Sequence, residues 1–474
     1  MSGFFGCISK KECVADVFYG TDYHSHLGTK RAGMAFYNGD LFVRSIHSLE
    51  NSYFRTKFED ELGKFANSHM GIGVISDTES QPITLTSHLG RFAVVTMGRI
   101  DNVREITQKL LDDRVNFAEL SDSTINATEL VAILISRAKT FEEGIRKVHR
   151  TIKGSCSFLI LTDHGIYACR DKVGRTPLVV GKNEDGYVVA TESSSFTNLG
   201  YSLVRDLDAR ESVFVTADGF KTVVKPGKEK QICAFMWVYY GYPSSYYEGI
   251  NVEATRYNCG AELARRDAGE LQNIDYVAGI PDSGIGHAVG YSNEKCVPYK
   301  RAFVKYTPTW PRSFMPSNQE MRSLVAKMKL IPNEALTKGA KIVFLDDSIV
   351  RGTQLKDNVC KLFEAGAEEV HIRIACPPLV FPCTFINFSA SRSSFDLVTR
   401  RTIRELEGTE EFTDELLEEY ANPDSERYAR MVEHMRENMR LTSLKFMRLD
   451  DLVRAIGIPK EHLCTHCWDN SSEM

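Results

Sequence analysis

The sequence predicts a two-domain α/β protein, in which a layered, strand-rich first half precedes a doubly wound parallel sheet. Three observations carry this. At 474 residues the chain exceeds one ordinary core, which points to two domains of roughly 200 residues or more. The hydrophobic pattern changes character near residue 225. The stretch at that change, Val224 to Lys230 (VKPGKEK), is polar and broken by Pro and Gly, which places a linker there and divides 1–227 from 228–474.

Before the linker, FAVVTMG, SFLILTDHGIYACRD, TPLVVGK, YVVATES and SVFVTADG are short runs rich in β-branched and aromatic residues, separated by turn signals. That spacing reads as layered sheet with some helices between. After it, YVAGIP, KIVFLDD and EVHIRIACPP read as strands, and 251–267 and 354–365 as helices. Such alternation means a parallel sheet with helices on both faces. Residues 405–437 are dense in charge with a helical period, the pattern of a solvated helical insertion. A net charge of −5 without a basic stripe argues against nucleic acid as a partner. No apolar run approaches the ~20 residues of a membrane helix, and MSGFFGCISKKEC lacks the basic start and apolar core of a signal peptide. The expected compartment is the cytoplasm, where the twelve cysteines serve as reduced thiols or metal ligands.

The most informative segment is Lys341 to Leu355, KIVFLDDSIVRGTQL. An apolar strand ends in adjacent carboxylates, Asp346 and Asp347, at the place where open α/β sheets bind ligands. The loop that follows offers Ser348, Thr353, Gly352 and the free N–H groups of a helix start, which together form a phosphate cradle. Acids at one end and a phosphate nest at the other suit a ribose 5-phosphate. The bland alternative is a surface turn with two solvated aspartates.

This segment resembles the phosphoribosylpyrophosphate (PRPP) signature of type I phosphoribosyltransferases. Its form DDSIVRGT is the one carried by glutamine PRPP amidotransferases, which make phosphoribosylamine in purine synthesis. Gly279-Ile280-Pro281-Asp282-Ser283-Gly284 resembles that family's pyrophosphate loop. Arg312-Ser313-Phe314, Pro316, Gln319, Arg322 and Lys329-Leu330 resemble its mobile loop, while Glu364-Ala365-Gly366-Ala367 and Pro377-Pro378 fall at matching places. The similarity covers nearly the whole chain. It implies that Asp346 and Asp347 hold the ribose and stabilise an oxocarbenium-like centre. Ser348, Ile349, Val350, Arg351, Gly352 and Thr353 would cradle the 5-phosphate, and the backbone of Asp282, Ser283 and Gly284 would meet the pyrophosphate. Ser283, with the two aspartates, would position Mg²⁺ on that leaving group, and Arg312, Gln319, Arg322 and Lys329 would close over it. In one departure, YTPTWP after Lys305 replaces the family's NRYVG and is one residue longer, which bears on loop closure and on any ammonia channel.

The first half resembles the same family's N-terminal-nucleophile glutaminase domain, an αββα-layered fold. Gly3, Gly6, Gly28, Ala32-Gly33, Gln81-Pro82, Arg170-Asp171, Gly174-Arg175 and Pro177-Leu178 carry that likeness. The catalytic positions depart from it. The processed N-terminal cysteine is Ser2, and a hydroxyl needs a stronger base than a thiol does. The carboxylate-gripping arginine of HVRY is Ser76, the oxyanion-hole NGN is Met97-Gly98-Arg99, and SDTE is Asn126-Ala127-Thr128-Glu129. One lost oxyanion donor commonly costs ~100-fold or more, so their joint loss predicts a glutaminase without activity.

Cys464-Thr465-His466-Cys467, taken alone, could be a zinc site, a redox pair or nothing. Some members of the family hold a [4Fe–4S] cluster, and the corresponding cysteines here are Cys233, Cys383, Cys464 and Cys467. The resemblance thus implies a structural [4Fe–4S] cluster on four thiolates, with an all-thiolate zinc site and free thiols as the alternatives. Two functional classes follow. One is an enzyme that joins ammonia, or another amine, to PRPP in place of glutamine. The other is an inactive homologue that binds PRPP or nucleotides and regulates a partner. Purine nucleotide effectors and a homo-oligomer are further implications of the resemblance.

Overall fold

The computed structural model describes residues 2–121, 124–306, 330–386 and 393–471. In the first half, alternating apolar residues build two facing antiparallel sheets. One runs Ser202–Asp206, Val179–Lys182, Gly186–Ala190, Ser2–Ser9, Met70–Ser76, Arg31–Tyr37, Phe42–Ser48. The other runs Gly219–Val224, Ser212–Thr216, Ile166–Cys169, Gly154–Leu161, Gly90–Ile100, Ile83–Ser87. Because side chains alternate across a strand, Phe4 and Ile8 of the first strand join Ala93, Val95 and Met97 in the core between the sheets. Phe5 and Cys7 instead pack beside Val14, Val17 and Phe18 of helix Val14–Asp22. Phe92 and Val94 pack with helices Ala127–Ser136 and Phe141–Thr151. The result is the αββα layering expected.

In the second half, four parallel strands lie in the order Tyr276–Gly279, Lys341–Asp346, Glu369–Ile374, Ser443–Phe446. Tyr299 bridges Val277 in parallel on the far side of the first of these. The chain therefore leaves Tyr276–Gly279 in one direction, through helix Ile285–Lys295, and reappears on its other side as Lys341–Asp346. Right-handed crossovers place that helix on one face of the sheet and helix Thr353–Glu364 on the other. The reversal point between Tyr276–Gly279 and Lys341–Asp346 is where such sheets bind ligands. Arg312, Gln319, Arg322 and Lys329 lie outside the described residues.

One expectation needs correction. The charged 405–437 segment is helical as expected, but it is not solvated on every face. It belongs to three helices, Val398–Glu407, Asp414–Ala421 and Glu426–Asn438, that bury Ile403, Leu417, Tyr420, Met431 and Met435. Its charges pair on the outer face, with Arg427 bonding Glu419 (2.7 Å) and His434 bonding Glu405 (2.8 Å), which leaves an apolar stripe for packing. The polar stretch after Val224, where the sequence places the linker, is bonded to the first half. Gly227 N–H donates to the Ala209 carbonyl (2.8 Å), Gln231 N–H to that of Val173 (2.8 Å), and Lys230 pairs with Asp208 (2.6 Å). The halves are docked through buried Glu192, which accepts from Tyr242 N–H (3.3 Å) and from the Ser245 (3.2 Å) and Tyr247 (2.5 Å) hydroxyls. Among the described residues no helix is long and apolar enough to cross a membrane.

Candidate functional site

The acid pair stands where strand Lys341–Asp346 leaves the sheet. Asp346 Oδ1 accepts from the Ser283 hydroxyl (3.2 Å) and from Asp347 N–H (3.0 Å), so the sheet brings together two motifs 63 residues apart. Burial, and then the neighbouring Asp347 carboxylate, push the Asp346 carboxyl well above the usual carboxylate range. Asp347 is itself buried and accepts from the Ser348 hydroxyl (2.5 Å). Two crowded carboxylates with no cation paired to Asp346 among the described residues favour a divalent ion or sugar hydroxyls.

Besides the Ser283 hydroxyl, backbone holds the pyrophosphate-type loop against the strand end. Ile280 N–H donates to the Leu345 carbonyl at 2.9 Å. At Gly284 a Cβ would stand 2.2 Å from that same Leu345 oxygen, so only glycine permits this approach. Gly284 N–H is already committed to the Ile280 carbonyl (2.8 Å), which removes it from the N–H groups expected to face a leaving group. The Asp282 carboxylate forms an ion pair with Lys305, which composition and spacing did not indicate.

The cradle ends at Gly352, whose φ of +74° precedes helix Thr353–Glu364. It is braced from outside. Val398 N–H donates to the Val350 carbonyl (2.8 Å), Arg401 donates to that of Arg351 (2.5 Å), and Val398 and Met439 side chains crowd Gly352. Sequence reasoning missed this brace because Val398 and Arg401 are about 50 positions away and Met439 further still, in a segment that reads as surface charge. It also missed Arg256, whose guanidinium is held by the carbonyls of Trp237 (3.0 Å), Tyr239 (2.8 Å) and Gly241 (2.8 Å) and interacts electrostatically with Asp347.

In the first half, the Ser2 hydroxyl donates to that of Ser76 (3.1 Å), which also accepts the N–H groups of Thr78 and Glu79 (both 3.2 Å). The nucleophile position and the clamp position thus bond each other. Met97 is buried between the sheets with the Thr191 hydroxyl on its sulfur (3.5 Å). Asn126 caps helix Ala127–Ser136 through the N–H groups of Thr128 (2.9 Å) and Glu129 (3.2 Å). Arg99 turns away to the second half, its N–H on the Phe385 carbonyl (3.0 Å) and its guanidinium on that of Cys383 (3.5 Å).

Cys233, Cys383, Cys464 and Cys467 line one pocket, together with Arg175, Phe235, Phe385, Ile386 and Trp468. Cys233 and Cys464 are register partners in a short parallel ribbon, and Phe235 stacks on Trp468 at 5.0 Å between ring centres. Burial pushes the Cys233 and Cys464 thiols up. A hydrogen bond with Cys383, followed by burial, does the same for Cys467. Among the described residues no group of three or more His, Cys, Asp or Glu side chains could hold a single metal ion.

An αββα domain of glutaminase type joined to a phosphoribosyltransferase sheet with its acid pair at the switch point defines a two-domain, glutamine-amidotransferase-like transferase. The comparisons agree. A family model for a glutamine amidotransferase domain matches residues 68–198. The amidophosphoribosyltransferase of Methanothermobacter thermautotrophicus is 28% identical over 479 residues, covering 98% of this chain and 92% of that protein. That of Bacillus subtilis is 31% identical over 392 residues, covering 81% and 80%. The solved B. subtilis glutamine PRPP amidotransferase, complexed with ADP and GMP, superposes with a TM-score of 0.84 at 26% identity, covering 99% of this chain and 96% of that one. The chain belongs to the amidophosphoribosyltransferase family.

Proposed function

We propose that the protein forms phosphoribosylamine, or a related ribosylamine, from PRPP and free ammonia or another amine, and that it does not hydrolyse glutamine. The observation that carries this is the contrast between its halves. The acid pair, pyrophosphate-type loop and cradle meet at one point, while Ser2 is bonded to Ser76 and Met97, at the place of the family's first oxyanion-hole asparagine, is a buried apolar side chain. In the proposed reaction the Ser348–Thr353 backbone holds the 5-phosphate. Asp346 and Asp347 hold the ribose 2- and 3-hydroxyls and stabilise positive charge as the bond from the anomeric carbon to pyrophosphate breaks. The amine nitrogen forms the new bond to that carbon and releases a proton to solvent. Ser283, Asp346 and Asp347 would hold Mg²⁺, which when bound neutralises the departing pyrophosphate. The nucleotides bound by the B. subtilis structure make purine nucleotides candidate effectors here.

For the thiol pocket, the proposed group is a [4Fe–4S] cluster. Four thiolates are the donor set it requires. An all-thiolate zinc site, with four sulfurs at about 2.3 Å from one ion, is the alternative that metal and sulfide analysis would distinguish. With the cluster, anaerobically purified protein should be brown, with about four irons per chain. Phosphoribosylamine formation tests the reaction. Ammonium at high pH, where more free amine is present, should support pyrophosphate release, and glutamine should not. Binding of PRPP without turnover on any amine would instead favour a regulatory homologue.

A further inference from the structure

Arg175 comes from the first half of the chain, is 2% exposed, and lines the pocket of the four thiols. Its surroundings hold it in three ways. Nη1 donates to the Gly154 carbonyl (3.3 Å), Nη2 donates to Gln231 Oε1 (2.7 Å), and the guanidinium lies 3.7 Å from the centre of the Phe385 ring. Its own carbonyl accepts the Cys233 N–H at 3.2 Å. Nε is buried and makes no hydrogen bond within the usual distance and angle limits, and the side chain interacts with the Cys464 thiol, which it holds down against burial. A buried guanidinium that faces sulfur fits a site that gathers negative charge on its thiolates. The ligand class is set by what else lines the pocket, which is sulfur.

We propose that Arg175 donates its Nε–H to a sulfur of the four-thiolate cluster and supplies the positive charge that balances it. The N-terminal half thereby forms one wall of the metal site. This gives the glutaminase-like domain a purpose that does not depend on glutamine. Arg99 reinforces the wall by bonding the Cys383 loop across the same boundary. The inference rests on the cluster reading above. Arg175 is a positioning residue, and its effects should appear in the cluster's potential and retention, because net charge and hydrogen bonds to sulfur set both.

The test compares anaerobically purified parent protein with Arg175→Lys, which keeps the charge and loses the aimed donor, and Arg175→Gln, which loses both. Iron and sulfide contents, the cluster's midpoint potential and its rate of loss to a chelator are measured on each. The potential should fall in the order parent, Arg175→Lys, Arg175→Gln, and Arg175→Gln should lose iron about tenfold faster or more. Should Arg175→Gln fail to fold, pulsed EPR of reduced parent protein labelled with ¹⁵N-arginine still decides. A ¹⁵N coupling to the cluster spin is expected, and its absence overturns the proposal. Iron-loaded variants with the parent's potential and loss rate would also overturn it while leaving the cluster reading intact. A parent protein lacking iron and sulfide would overturn the cluster reading, and this inference with it.

Discussion

Asp346→Asn should make the empty protein more stable while ending turnover. The carboxyl is buried beside Asp347, and both causes raise its pKa well above the ordinary value of about 3.9. The sign follows from linkage. A group whose folded pKa is raised stabilises the fold below its unfolded pKa, and that stability is lost as pH climbs through the folded value. An amide cannot ionise, so it avoids this loss. It still accepts from Ser283 and from Asp347 N–H, the two bonds seen in the parent. Leaving a buried polar group poorly compensated costs about 1–3 kcal/mol. The variant should therefore match the parent near pH 4 and exceed it by about that amount at neutral pH. For a domain of this size each kcal/mol is worth about 2–4 °C in Tm. PRPP affinity should fall at least about tenfold, since a charge-assisted bond to a hydroxyl is worth ~1.5–3 kcal/mol. The assay is thermal unfolding followed from pH 4 to 8, with and without Mg²⁺ and PRPP. Stability–pH curves that run parallel for parent and variant would refute the burial argument, and undiminished turnover would refute the assigned role.

Gly284→Ala would put a Cβ 2.2 Å from the Leu345 oxygen. Backbone must yield, at about 1–3 kcal/mol, so the KM for PRPP should rise about tenfold or more; an unchanged KM would show that the loop is not held by this contact. Ser2→Cys restores a thiol but leaves Ser76, Met97 and Ala127 in place. Glutamate release should stay at background, and a rate of about 1 per second or faster would overturn the assignment of an inactive glutaminase.

The sequence by itself determined the local chemistry. KIVFLDDSIVRGT announced a strand, an acid pair and a helix-start cradle because each is a contiguous pattern whose periodicity, charge and glycine placement are set within a dozen residues. The strand runs of the first half gave layered sheet with helices between, and the αββα order came from the likeness to the glutaminase domain; alternation along 90–100 and 154–161 sets which side chains face which layer. What only the tertiary structure decided were meetings between distant segments. Ser283 reaches Asp346 because parallel pairing sets Gly279 beside Leu345. The 398–438 helices brace the cradle because an apolar stripe lies under their charged exterior, and local composition registers the charge but not the stripe's partner. Arg175 reaches the thiol pocket from the other half of the chain. Its charge becomes a buried cation facing sulfur once the halves dock, because burial and hydrogen-bond satisfaction belong to the packed assembly of both halves.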